Sequence, residues 1–111
     1  MPNDSNSNVA LIKWSEEEGR VKLGLPSDLD LAMAQPLVDS LRHAFAVGDT
    51  IDILTDGVER VSTACVQALV VASRTAGESR QSFTIVGPSA SFASACDDLG
   101  LSDWLKQWSR S

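Results

Sequence analysis

The sequence predicts a single α/β domain in which a mixed, largely parallel β-sheet is covered by about four α-helices. Three observations predict it. The chain has 111 residues, the size of one domain and enough to bury roughly two-thirds of its unfolded surface. Hydrophobic residues make up 43 % and charged residues 22 %, which is the usage of a globular chain and not of a disordered one. The apolar pattern switches between strand and helix periods in the order β-β-α-β-α-β-α-α. Strands that alternate with helices imply parallel pairing through crossover helices. With aromatics at 5 % and no Tyr, the core has to be built mainly from Val, Leu, Ile and Ala.

Each element has its own warrant. Residues 1–7, rich in Asn and Ser, read as a disordered tail, and residues 8–111 as the domain. Val9-Ala10-Leu11-Ile12-Lys13-Trp14 reads as a strand. Ser15-Glu16-Glu17-Glu18-Gly19 reads as a turn whose charges form a solvated hairpin tip. Residues 20–25 alternate polar and apolar, as a half-buried strand does, and would pair with the first strand. The turn at Pro26-Ser27-Asp28-Leu29-Asp30 can cap a helix over 31–46, where Leu37, Leu41, Ala44 and Phe45 follow helical spacing. Pro36 removes a backbone donor and crowds the turn before it. Either the helix proper starts near Pro36 or its first turns are kinked. Val47-Gly48 supplies a glycine stop.

Residues 50–54 form a short apolar strand, and 55–62 a loop. A helix follows over 63–76, ended by Gly77. Residues 82–86 form another strand. Gly87-Pro88-Ser89 is a turn into a helix over 90–99 with Pro near the first helical position, and Gly100 stops that helix. Ser102 caps a last helix over 103–108. On that helix Trp104 is expected to pack, while Trp108, beside the chain end, is the better candidate for exposure. There is no internal repeat and no domain boundary.

Composition narrows the function. The net charge of -6 repels phosphate backbones and anionic lipid, so nucleic-acid binding and direct membrane insertion are disfavoured. The nine Lys and Arg residues are scattered. No apolar run approaches the ~18 residues of a membrane span. The polar start has neither the basic residues nor the apolar run of a signal peptide, so a cytoplasmic protein is expected. Cys65 and Cys96 form no CxxC, and His43 is the single histidine. A zinc site needs about four N or S ligands in compact spacing, so no metal or other cofactor is expected, and both thiols read as small buried hydrophobes. Gly87-Pro88-Ser89 lacks the GxxxxGK[ST] pattern of a phosphate loop. Without a nucleophile–base pair, a metal cluster or a phosphate loop, the chain reads as a non-enzyme.

The working surface is the loop and helix start at Val58-Glu59-Arg60-Val61-Ser62-Thr63-Ala64-Cys65. The helix from Thr63 carries one stripe of Val66, Leu69, Val70 and Ser73, and a second of small residues, Cys65, Ala68, Ala72 and Ala76. It can therefore lie close against a sheet or another helix while its N-terminal end reaches the surface. Ser62 and Thr63 sit at that end. Either hydroxyl can cap the first backbone N–H groups, and either can be a phosphoacceptor, because a phosphate there meets the positive end of the helix dipole.

The order of elements, together with Asp56-Gly57-Val58-Glu59-Arg60-Val61-Ser62-Thr63-Ala64-Cys65-Val66-Gln67-Ala68-Leu69, resembles the STAS domain family, which includes the anti-sigma factor antagonists. The resemblance spans residues 9–108 and takes in Phe83-Thr84-Ile85-Val86-Gly87-Pro88-Ser89, Phe92, Leu99 and Leu101. Cys65-Val66-Gln67-Ala68-Leu69 and Phe83-Thr84-Ile85-Val86 also look like the small STAS proteins of α-proteobacterial chemotaxis clusters. In the antagonists the loop reads Asp-Ser-Ser/Thr-Gly, and a partner kinase phosphorylates its first hydroxyl residue. Laid on this chain, Ser62 takes the place of the Asp, Thr63 that of the phosphoacceptor, Ala64 that of the next hydroxyl and Cys65 that of the Gly. Leu54 stands where the family has a carboxylate. The resemblance implies docking onto a histidine-kinase-like or anti-sigma kinase protein, a chemotaxis kinase among them. Asp56, Gly57, Glu59, Arg60, Ser62, Thr63 and Gln67 would make the contact, and Thr63, or Ser62, would be the switch. The family also contains subunits of ABC lipid-transport complexes that bind an ATPase, and this alternative stays open.

Overall fold

The computed structural model describes residues 11–110. The elements run β1 (Lys13–Glu17), β2 (Arg20–Gly24), β3 (Asp28–Leu29), a 3-10 turn (Leu31–Met33), α1 (Ala34–Val47), β4 (Thr50–Leu54), β5 (Arg60–Val61), α2 (Thr63–Ser79), β6 (Ser82–Val86), α3 (Ala90–Asp98), α4 (Ser102–Trp108) and β7 (Ser109–Arg110). The main sheet has the order β1-β2-β4-β6-β7. Among the described residues only β1 and β2 pair antiparallel; every other neighbour in this sheet is parallel. With four α-helices, this is the mixed, largely parallel architecture that the sequence predicts.

Alternation along the strands sets the core. Register places Val21, Ile51 and Phe83 in one row and Leu23, Ile53 and Ile85 in the next, and all six are buried. They meet Leu37, Leu41 and Ala44 of α1, Leu69 of α2, Phe92 and Cys96 of α3 and Leu105 of α4 in one cluster. Each large apolar side chain so buried contributes about 1.5–3 kcal/mol. The other sheet face is polar, and one of its rows is Lys22, Asp52 and Thr84. Asp52 there is 2 % exposed and is held by Arg20 at 2.7 Å.

Several expectations change. The expected tail at 1–7, and residues 9–10 of the expected first strand, lie outside the described residues. Leu11 and Ile12 precede β1, which instead takes in Ser15, Glu16 and Glu17. The hairpin turn is Glu18-Gly19 alone, with φ of 51° and 81°, the left-handed pair that a two-residue type I′ turn requires. Pro36 sits in the first turn of α1, where its missing N–H has no helical partner to lose. Gly48 does end α1, but its φ is -132°, so it is no left-handed stop. It is a glycine because a Cβ would meet Val21 Cγ2 at 2.7 Å and the Gly19 carbonyl at 2.8 Å. The Gln81 amide closes that helix end, donating to the Phe45 and Gly48 carbonyls at 2.9 and 2.7 Å.

Helix α2 runs through Gly77 and stops at Arg80, whose φ of 59° is left-handed. Pro88 precedes the cap of α3, Ser89, and so lies outside the helix rather than near its first position. Ser102 is the first residue of α4, not its cap, and its hydroxyl donates to Asp97 at 2.6 Å. Trp104 packs as expected, its indole N–H on Ser73 Oγ at 2.9 Å. Trp108 packs too, edge-on to Phe83 with centroids 6.0 Å apart, so it is half-buried and not an exposed patch. The ladders β3–β5 and β6–β7 were not predicted.

Candidate functional site

The loop after β4 is fixed at both ends. Thr55 is fully buried. Its N–H and its hydroxyl both donate to the Val86 carbonyl, at 3.1 and 3.3 Å. Its own carbonyl accepts from the N–H groups of Val58 and Ser89 at 3.2 and 3.3 Å. Val58 is 1 % exposed, and its carbonyl accepts from the Ser89 hydroxyl. Ser89 also caps α3, its oxygen accepting from Phe92 N–H at 3.0 Å. Asp56 and Gly57 are left as an exposed tip between two anchors.

The second half of the loop is held by the β3–β5 ladder. The Ser27 carbonyl accepts from both Glu59 and Arg60, at 2.8 and 2.9 Å, and Leu29 accepts from Ser62 N–H at 2.7 Å. Ser62 is therefore placed as the residue before α2, with extended backbone, and its Oγ accepts from Cys65 N–H at 3.3 Å. It is the cap. Thr63 is the first helical residue and is exposed. The two hydroxyl residues, either of which could cap the helix on residue type, are thus distinct: Ser62 is half-buried and its hydroxyl engaged, while Thr63 is exposed.

Asp56, Gly57, Glu59, Arg60, Thr63 and Gln67 are all exposed, but they share no common groove. Gln67, one turn beyond Thr63 on the same helix face, lines an apolar groove of about 500 Å³ between α1 and α2 with Ala64, Ala68, Val71, Val38 and Phe45. Glu59 and Arg60 line a separate shallow groove against Ser91, Ser94 and Asp98 of α3. The Asp56-Gly57 tip lines neither. Sequence reasoning missed Val71, which is 56 % exposed, and Ser89, which pins the loop. The signal for Val71 was present: Thr63, Gln67 and Val71 recur every four residues.

Both cysteines are buried and free. Burial pushes the Cys65 thiol up, with the Asp30 charge adding to the rise and the Ser62 hydrogen bond opposing it. Burial alone pushes Cys96 up to about 11. Both stay protonated near neutral pH and are poor nucleophiles. His43 is exposed, its ring 4.8 Å from that of Trp14. Among the described residues no three His, Cys, Asp or Glu side chains are grouped to hold a metal ion, and no helix is long and apolar enough to cross a membrane.

A family model described as "Mlab, STAS domain" matches residues 12–106. No curated protein sequence matches the chain. Among solved structures it is similar to the anti-sigma factor antagonist SpoIIAA in its unphosphorylated form, with a TM-score of 0.74 and 14 % identity over 89 % of this chain and 85 % of that one. It is also similar to the Bacillus cell fate determinant SpoIIAA in the phosphorylated form, with a TM-score of 0.72 and 14 % identity over 89 % and 88 %. At that identity the likeness is one of fold.

Proposed function

The chain belongs to the STAS domain family, and from that premise we propose that it is a non-enzymatic signalling module of the cytoplasm that docks onto a kinase or anti-sigma partner. Its docking surface is the loop from Asp56 to Ser62 and the first turns of α2, with Arg60, Thr63 and Gln67 in contact. Thr63 is the phosphoacceptor whose state sets the affinity. The observation that carries this reading is the division of labour at the helix start. Ser62 spends its hydroxyl on Cys65 N–H, and Thr63 presents its own to solvent. A phosphate on Thr63 would meet the open N–H groups and positive dipole of a long helix. It would add about -1.5 to -2 charges at the start of that helix, a change large enough to alter the affinity of a docked partner.

The test is to purify the protein from its native cells with phosphatases inhibited and to map phosphate by mass spectrometry. Phosphate is expected on Thr63 and not on Ser62. Wild type and Arg60→Glu, Gln67→Ala and Thr63→Glu variants are then compared for binding to the histidine-kinase-like or anti-sigma protein recovered with it. Equal binding by Thr63→Glu removes the switch. Equal binding by Arg60→Glu and Gln67→Ala removes the docking surface.

A second reading is a docking subunit of an ABC lipid-transport complex, bound to its ATPase. The matching family model is the one described as "Mlab, STAS domain", and Ala64 and Cys65 stand where the phospho-switch loop has a hydroxyl and a glycine. Recovery of an ATPase in a membrane fraction, with Thr63 unmodified, would decide for it.

A further inference from the structure

Strand β1 is one edge of the main sheet, and among the described residues no strand pairs with its outer side. All five of its residues, Lys13-Trp14-Ser15-Glu16-Glu17, are exposed. An open edge carries backbone donors and acceptors that another strand can take up. Glu17 and Arg20 close a two-residue turn, so Lys13, Ser15 and Glu17 spend their backbone groups on β2. The alternation of an antiparallel ladder then turns those of Trp14 and Glu16 outward. Pairing on the far side of β2 agrees, since it uses the carbonyl of Gly19 and the N–H of Leu25 toward β4.

We propose that this edge is a homodimer interface, in which β1 pairs antiparallel with β1 of a second copy about a two-fold axis at Ser15. The argument is one of charge and register. In that register Trp14 faces Glu16 of the other copy, outward group to outward group. The two symmetric pairs exchange four backbone hydrogen bonds, two for each pair. Lys13 then lies directly opposite Glu17 of the other copy, twice over, as close cross-strand ion pairs. The neighbouring allowed registers lose this match. Centring on Trp14 sets Glu16 against Ile12, and centring on Glu16 sets that carboxylate against its own copy. Charges on an edge strand ordinarily repel pairing; the order Lys-x-x-x-Glu makes this edge complementary to itself. The half-exposed Trp14 ring, resting on His43 beside a shallow groove with Ile12 and Ser40, is covered in the same step. A contact of five residues per copy is small, so association is weak, micromolar or looser.

Sedimentation equilibrium of the full chain up to millimolar concentration tests this. Wild type reaches a monomer–dimer equilibrium. Lys13→Glu alone and Glu17→Lys alone each weaken the dimer by at least about tenfold, and the double swap restores it to within about threefold. Glu16→Pro, which removes only an outward N–H on an edge strand, abolishes it. Wild type that stays monomeric at millimolar concentration overturns the proposal. So does a dimer indifferent to these variants, which would use another face such as the α1–α2 groove.

Discussion

Replacing Ser62 and Thr63 one at a time separates the structural hydroxyl from the free one. Ser62 Oγ accepts from Cys65 N–H at 3.3 Å. Loss of such a cap costs about 0.5–2 kcal/mol, and the length of this bond places Ser62→Ala in the lower half, about 0.5–1 kcal/mol. Unfolding entropy near 2.1 cal/mol/K per residue makes each 1 kcal/mol worth about 4 °C in a chain of this size, so the melting temperature falls by about 2–4 °C. Thr63→Ala removes a hydroxyl that has no hydrogen-bond partner among the described residues and installs a better helix former. Its melting temperature stays at or slightly above wild type. Ser62→Asp keeps an acceptor and adds a charge that the helix N-terminus favours, so it melts no lower than wild type. Thermal unfolding followed by circular dichroism reads all three. If Thr63→Ala is the destabilised variant and Ser62→Ala is silent, the cap is misassigned. The case for Thr63 as the modifiable hydroxyl would then fall with it.

Other perturbations have expected outcomes of their own. Gly48→Ala drives a methyl group to 2.7 Å from Val21 Cγ2 and 2.8 Å from the Gly19 carbonyl, and destabilises by about 1–3 kcal/mol in urea unfolding; a neutral result would mean that the hairpin turn yields freely. Ser89→Ala removes both the cap of α3 and the donor to the Val58 carbonyl, costing about 1–3 kcal/mol. Amide exchange at residues 56–58 should quicken more than in β4, and equal change in both would show that the serine holds no loop. Cys96 supplies a pH test. Its thiol rises from 9.0 to about 11 on folding, so its neutral form stabilises the fold fully below pH 9 and that stabilisation is lost as pH climbs toward 11. The stability advantage of wild type over Cys96→Ala should shrink across that window, by up to about 1.4 kcal/mol per pH unit. A constant difference would contradict it.

The main strands and helices were legible because their side chains record which face is buried. Val21 and Leu23 alternate with charges, and Leu37, Leu41 and Ala44 keep helical spacing. What the sequence concealed is held by backbone groups, which leave little side-chain pattern. The two-residue ladders β3–β5 and β6–β7 are of this kind, and so are the bounds of β1: the hairpin was expected, but its first strand has every residue exposed and hence no apolar period to mark its extent. Gly77 misled because a glycine in an exposed helix position is merely unfavourable, not forbidden. Gly48 was read correctly as a boundary for the wrong reason, since close approach and left-handed backbone call for the same residue. At the candidate site the hydroxyls of Ser62 and Thr63 were visible. Which one is the cap depends on Ser62 N–H reaching the Leu29 carbonyl, a contact between residues far apart in sequence.

The anchoring of the loop at Thr55 has a kinetic consequence. Ordering a mobile segment costs about 1–2 kcal/mol per residue, and a partner that must order its target associates slowly. Here Thr55, Val58 and the Ser27 carbonyl have already set the path of the chain, so little ordering is left for the encounter. On the proposed docking surface, differences in affinity should therefore appear in how long a complex lasts rather than in how fast it forms.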